Sequence, residues 1–267
     1  KCSYICGTCN DKFLMKRRIL SLLVLVVLSA CASKKDILYM QDAIQQDNSK
    51  VNYESANIQP NDILKITVES TMPEAAIPYN KSTATGVQSQ NLQVLQLEGY
   101  LVSTENTIKF PVLGDISTAN KTTKELETEI KNQLTSGGHL VNPTVNIRLI
   151  NAKVTILGEV NMPGTYSFTE QNITILQALG YAGDLTINGK REDILITREV
   201  DGVRKISHID LTSASFMDSE FYFIKPNDNI IVNPNDTKVK TAGFVGNVGT
   251  ILTIASLALS VTILLTR

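Results

Sequence analysis

Tryptophan is absent from this chain of 267 residues, and all aromatics together reach only 6%. That argues against a sugar-binding cleft built on stacked rings. Cysteine is scarce: Cys2, Cys6, Cys9 and Cys31 are the full set, and nothing beyond Cys31 can form a disulfide. An oxidising compartment therefore adds nothing to the stability of the body. Histidine is scarcer, with only His139 and His208. Cys6 and Cys9 have the two-residue gap of a zinc knuckle, but no second Cys or His pair follows within reach, so no metal site is expected. Neither sign of charge dominates. The 25 basic and 26 acidic residues leave a net charge of −1 with no basic block, which argues against nucleic acid as a partner.

Catalytic motifs are missing too: there is no Gly-x-Ser-x-Gly, no phosphate loop and no metal-binding cluster. His208 and Asp210 are two apart on an expected strand, sharing a face without productive contact, and His139 falls in a loop beside Gly137-Gly138. Glu159 and Glu170 read as solvated charges near a turn. The expectation is a protein that is not an enzyme and needs no cofactor. Asn, Thr, Ser and Gln, by contrast, are plentiful, which suits surfaces that line water.

What is present begins with Lys16-Arg17-Arg18, an apolar run from Ile19 to Val27, and Leu28-Ser29-Ala30-Cys31. A basic stretch, a short apolar run and small residues is the layout of a secretory signal. The run is too short to span a bilayer, which takes roughly 20 residues. With Cys placed directly after Leu-Ser-Ala, the segment resembles a bacterial lipoprotein signal in which Cys31 becomes the lipidated first residue. Residues 1–14, upstream of Met15, are expected to be an over-extended start, 15–30 the signal peptide and 31–57 a lipidated linker.

Beyond the linker, periodicity alternates between two and 3.6. Ile63 to Val68 reads as a strand after the turn Pro60-Asn61-Asp62. Ser70 to Asn91 reads as a loop, and Leu92 to Val102 and Thr107 to Val112 as strands around a turn. Leu126, Ile130 and Leu134 form an i, i+4, i+8 stripe behind Thr122-Thr123 and Glu125, which predicts an amphipathic helix closed by Gly137-Gly138. Val145, Ile147 and Leu149 alternate as a half-buried strand, followed by a strand over Val154 to Val160. Asn161-Met162-Pro163-Gly164 predicts a type II turn with Gly164 at positive φ. A second helix is expected at Thr174 to Tyr181, closed by Gly183, with strands at Ile194 to Arg198, Val203 to Ile206 and Asn229 to Val232. The sum is an α+β fold of small mixed sheets, each backed by a helix. One internal echo stands out: Ile58-Gln59-Pro60-Asn61-Asp62-Ile63-Leu64 against Ile224-Lys225-Pro226-Asn227-Asp228-Asn229-Ile230.

These motifs resemble a family. Pro60-Asn61-Asp62, Lys109-Phe110-Pro111-Val112-Leu113-Gly114-Asp115-Ile116 and the helix after Thr122-Thr123 look like the polysaccharide export domain, here 58–152. Val154-Thr155-Ile156-Leu157-Gly158-Glu159-Val160, Met162-Pro163-Gly164-Thr165-Tyr166, Gln177 to Leu185 with its Gly183, and Lys225-Pro226-Asn227-Asp228 look like a soluble ligand-binding β-grasp (SLBB) domain, here 153–234. Asn61 and Asn227 stand where the family usually has Gly, and Asp184 where it often has a second Gly. Asn and Asp tolerate left-handed backbone better than other side chains, so the turns can survive. One β-grasp repeat is present where larger members carry two. The resemblance implies an outer-membrane, Wza-like export lipoprotein for capsule or exopolysaccharide. It would form a ring of about eight subunits and work with an inner-membrane polysaccharide co-polymerase carrying a tyrosine kinase-like module. A structural or ligand-binding envelope lipoprotein without a pore is the alternative.

The last segment, 235–267, carries a charge-free run from Phe244 to Leu265. Its 22 residues, at 1.5 Å each, give about 33 Å of helix, enough for a bilayer core. Phe244, Val248, Ile251, Leu252, Leu259 and Ile263 share an apolar arc of about 120°. Asn247, Thr250, Thr253, Ser256 and Ser260 lie on the remainder, diluted by Ile254, Leu257, Val261 and Leu264 so that its polarity fades towards the C-terminus. The expectation is an outer-membrane helix whose apolar arc meets lipid and whose small, hydroxyl-bearing arc meets neighbouring helices or a lumen.

Overall fold

The computed structural model describes residues 37–45, 50–81, 92–200, 202–242 and 248–265. Cys31, the signal segment, Phe244 and Asn247 lie outside the described residues. Tyr39 onwards forms one compact unit.

The first half is a three-stranded antiparallel sheet packed by one long helix. In chain order it contains β1 (Ile63–Glu69), α1 (Pro73–Ala76), α2 (Leu92–Glu98), β2 (Tyr100–Leu101), β3 (Thr107–Phe110), β4 (Gly114–Ser117), α3 (Thr123–Ser136) and β5 (Thr144–Leu149). The sheet order is β2-β1-β5, and β3-β4 is a separate hairpin. α3 forms as its stripe dictates. Thr122 caps it, receiving Glu125 N–H while the Glu125 carboxylate receives Thr122 N–H, a complete capping box. Leu126, Ile130 and Leu134 are each 0% exposed against this sheet's core.

The second half contains β6 (Lys153–Gly158), β7 (Gly164–Ser167), β8 (Ile173–Thr174), α4 (Ile175–Tyr181), β9 (Gly189–Val200), β10 (Val203–Ile209), β11 (Phe223–Ile224) and β12 (Asn229–Pro234). Its five-stranded sheet runs β10-β9-β12-β6-β7, with β12 parallel to β6. Thr174 and Gln177 make a second capping box for α4, which buries Ile175, Ala178 and Leu179. The chain ends in α5 (Asp236–Ala242) and α6 (Val248–Leu265).

Three expectations need correcting. Leu92 to Glu98 is helix, not strand, leaving only Tyr100–Leu101 extended. Leu-Gln-Val-Leu-Gln-Leu-Glu fits both periods, and tertiary contact decides: Gln96 Nε2 donates to Ile150 O, and a side chain at Gly99 would strike Ile63 Cγ2 at 2.3 Å. The expected Ser70–Asn91 loop contains α1 and a 3₁₀ turn, Ile77–Tyr79, whose Tyr79 is buried. Gly164 is not left-handed; it opens β7 opposite Ile156. Within the segment expected to be a linker, Tyr39 and Met40 pack on the second core and Met40 N–H donates to Leu211 O.

The membrane helix also departs from its expected extent. α6 has 18 residues, about 27 Å, and among the described residues no helix is long and apolar enough to cross a membrane. Leu252, Leu259 and Ile263 are nonetheless 64%, 63% and 58% exposed. On the other arc, Thr253 donates to Gly249 O, Ser256 to Thr253 O and Ser260 to Ser256 O. Those hydroxyls are satisfied within their own helix and need neither water nor a neighbour.

Candidate functional site

The two echoed segments fold into the same turn. In each, Pro occupies the second position and fixes φ, while Asn at the third is left-handed: Asn61 at φ 70° and Asn227 at φ 67°. Asp62 N–H donates to Gln59 O at 3.1 Å and Asp228 N–H to Lys225 O at 3.2 Å. Proline second, left-handed residue third and a closing bond to the first is the type II signature. It belongs here, not to Pro163-Gly164. The fourth residue closes the turn again with its side chain. Asp62 Oδ2 accepts Gln59 N–H and Asp228 Oδ2 accepts Lys225 N–H, both at 2.9 Å.

Each turn is also clamped by neighbouring backbone, the first by the residue that follows β2 and the second by β6. Val102 O accepts Asn61 N–H and Val102 N–H donates to Asp62 O. In the second half, Lys153 O accepts Asn227 N–H and Thr155 N–H donates to Asp228 O. Backbone pairing thus fixes both tips.

Electrostatics separates them. Asp228 is 1% exposed and held by Arg198, itself 3% exposed, with Nε at 3.0 Å from Oδ1 and Nη2 at 2.7 Å from Oδ2. The same guanidinium donates to Glu220 O and Phe223 O and lies over the Phe221 ring. Burial pushes the Asp228 carboxyl above its ordinary range, and Arg198 opposes that. Asp62, 3% exposed, has no ion partner among the described residues; burial raises its pKa to about 6, opposed only by Gln59 N–H.

The tips meet across a cleft of about 1190 Å³, with Pro60 and Asn61 contributed by the first half and Asn227 by the second. Gln59 bridges it, Nε2 donating to Glu199 O at 2.9 Å. At the junction Asn151 receives Ile63 N–H on Oδ1 and donates through Nδ2 to Asn61 O. Lys153, Arg198, Arg204 and Glu199 bring charge to the lining, and no aromatic ring among the described residues lines it.

The remaining motif residues are structural. Pro111 and Gly114, the latter at φ 80°, turn the β3-β4 hairpin. Gly158, at φ 91°, would place a Cβ 2.0 Å from Val232 O, so no side chain fits where β6 ends beside β12. Asn161 N–H donates to Asp184 O and Met162 N–H to Ala182 O, which stitches the Pro163-Gly164 loop to the left-handed Gly183 and Asp184. Pro226 reaches a second, smaller cleft between the halves. His208 pairs with Asp193, not Asp210, and His139 packs edge-on against Tyr79. Glu159 is not merely solvated: it accepts from Thr186 Oγ1 and lies 3.9 Å from Lys238. Among the described residues no cluster of His, Cys, Asp and Glu could hold a metal.

Sequence reasoning missed Arg198, Asn151 and the bridging Gln59. Arg198 had a signal: in the alternation Ile194, Ile196, Arg198 it takes an inward position.

Comparison with known proteins follows the same division. Residues 50–150 match the family described as polysaccharide biosynthesis/export protein, and residues 152–232 match the SLBB domain. Similar proteins include the EPS I polysaccharide export outer membrane protein EpsA of Ralstonia solanacearum, 28% identical over 159 residues, covering 58% of this chain and 41% of that protein. The like-named protein of Ralstonia nicotianae is 34% identical over 106 residues, covering 38% of this chain and 27% of that protein. The chain spans less than half the length of these relatives. The two matched domains lie in tandem along the chain.

Proposed function

We propose that the chain is a subunit of an outer-membrane exporter of capsule or exopolysaccharide. The observation that carries this reading is the tandem of export and SLBB domains folded as one body, in a chain similar to proteins named for EPS I export at the outer membrane. The role is transport and not catalysis. Cys31 lipid holds each subunit at the inner leaflet of the outer membrane, with the bulk in the periplasm.

Copies assemble as a ring around a cavity, about eight by family resemblance, and receive glycan from an inner-membrane co-polymerase. The exposed apolar side chains of α6 support assembly, since Leu252, Leu259 and Ile263 on one arc and Ile254, Leu257, Val261 and Leu264 on the other need cover from lipid or from neighbouring copies. In this reading α6 sits beside its counterparts at the membrane end of the ring. It and the Cys31 lipid, two weak anchors per subunit multiplied around the ring, fix the assembly firmly. A moving, hydrated glycan needs polar walls without tight sites.

Deleting the gene in the source bacterium tests the reading. Surface polysaccharide should fall to background and return with the wild-type gene, and only weakly with Cys31→Ala. Unchanged surface polysaccharide in the deletion strain would reject the export role and leave a structural or ligand-binding envelope lipoprotein.

A further inference from the structure

Four left-handed asparagines converge on the cleft between the halves. They are Asn61 at φ 70°, Asn106 at φ 55°, Asn120 at φ 55° and Asn227 at φ 67°. They come from four turns scattered over the sequence, three in the export half and one in the SLBB half. Glycine is the residue that adopts this backbone without steric cost, and the chain does use it at the same cleft, at Gly202. Asparagine adds an amide at each tip, with two N–H donors and one carbonyl acceptor. Among the described residues none of these four side-chain amides makes a hydrogen bond, so residues that line the cleft keep that capacity unused.

We propose that this cleft is a contact site for an oligosaccharide segment of the exported glycan, held by the amides of Asn61, Asn106, Asn120 and Asn227. The inference rests on the export reading and deepens it. Vicinal sugar hydroxyls donate and accept in pairs, which is what an array of primary amides answers. A cleft of about 1190 Å³ exceeds the usual small-ligand pocket of roughly 300–1,000 Å³, so it suits a stretch of chain better than a single sugar. The centre of a protein interface favours aromatic and Met anchors beside Arg. This lining has Arg198 and Arg204 but, among the described residues, no aromatic ring or Met, and its most frequent side chain is the amide. With no ring to stack on, contact is weak and releases quickly, as a passing polymer requires. Lys153 has no carboxylate partner among the described residues, whereas Arg204 stands opposite Glu199 on the paired strand. The site therefore accepts acidic sugars as well as neutral ones.

The test uses a variant that should keep the fold. Replacing all four residues by Gly removes the amides while relaxing the left-handed backbone. Full-length wild type and the N61G/N106G/N120G/N227G variant, both in mild detergent, are dialysed against labelled oligosaccharides from hydrolysed surface polysaccharide of the source strain. The expected result is measurable wild-type binding, weakened about tenfold or more in the variant at unchanged melting temperature. Equal binding by both proteins, or none by wild type, overturns the proposal, while gene deletion tests export separately. A melting temperature that drops in the variant moves the decision to Thr104→Cys, a residue at the cleft. Maleimide labelling of that cysteine slowed by the oligosaccharides supports the proposal. A disulfide between copies there makes the cleft a subunit interface and rejects it.

Discussion

The Asp62 and Asp228 turns are the same object at the level of backbone and opposite at the level of charge. Both close a Pro-Asn type II turn with a carboxylate on the first residue's N–H, at 2.9 Å in each case. Asp228 then meets a buried, fully engaged arginine, whereas Asp62 has only its backbone donor. A turn needs the acceptor, not the charge. Where the charge is paired it ties β9, β11 and the turn together. Where it is unpaired it becomes a titrating group in the physiological range.

That difference can be broken from either side. The largest effect is expected for Arg198→Met, which leaves the Asp228 carboxylate buried and alone. A loss of about 3–5 kcal/mol in urea unfolding is predicted, and a loss below 1 kcal/mol would mean the pair is not what holds this end. A loss of about 3 kcal/mol is expected for Gly158→Ala, because φ 91° and a Cβ 2.0 Å from Val232 O combine strain with overlap.

Asp62 is the counterpart to test by pH. Its folded pKa of about 6 lies above the unfolded value of 3.8, so the folded state binds the proton more tightly. This group's contribution is therefore most favourable below pH 3.8 and is lost as pH rises through about 6. The interval corresponds to roughly 3 kcal/mol, and Asp62→Asn, which keeps an acceptor for Gln59 N–H, should remove that slope from unfolding curves across the window. An unchanged slope in the variant would show that Asp62 does not titrate there. The smallest effects are expected for Asn61→Gly and Asn227→Gly, within about 0.5 kcal/mol of wild type in thermal melts. A larger loss would show that the amides have structural partners.

Local signals were legible and distant ones were not. α3 could be read in full because its stripe, cap and closing glycines lie within one short stretch, Thr122 to Gly138. α2 could not, because its pattern is ambiguous and Ile150 and Ile63, far away in sequence, decide it. The left-handed backbone at Asn61, Asp184 and Asn227 was readable from residue type and family position. The cleft was not, since it exists only where four turns meet in space; the Pro-Asn-Asp echo was its one trace in the sequence. The apolar run at the C-terminus was plain, but sequence alone did not reveal that its hydroxyls bond to their own helix.

Electron microscopy of the detergent-extracted full-length protein, beside a version truncated after Pro234, tests the central claim most directly. The account predicts rings with a central cavity, capped by helical density that the truncation removes. Monomers or dimers in both samples, at high concentration in mild detergent, would contradict it and reduce the family likeness to one of fold.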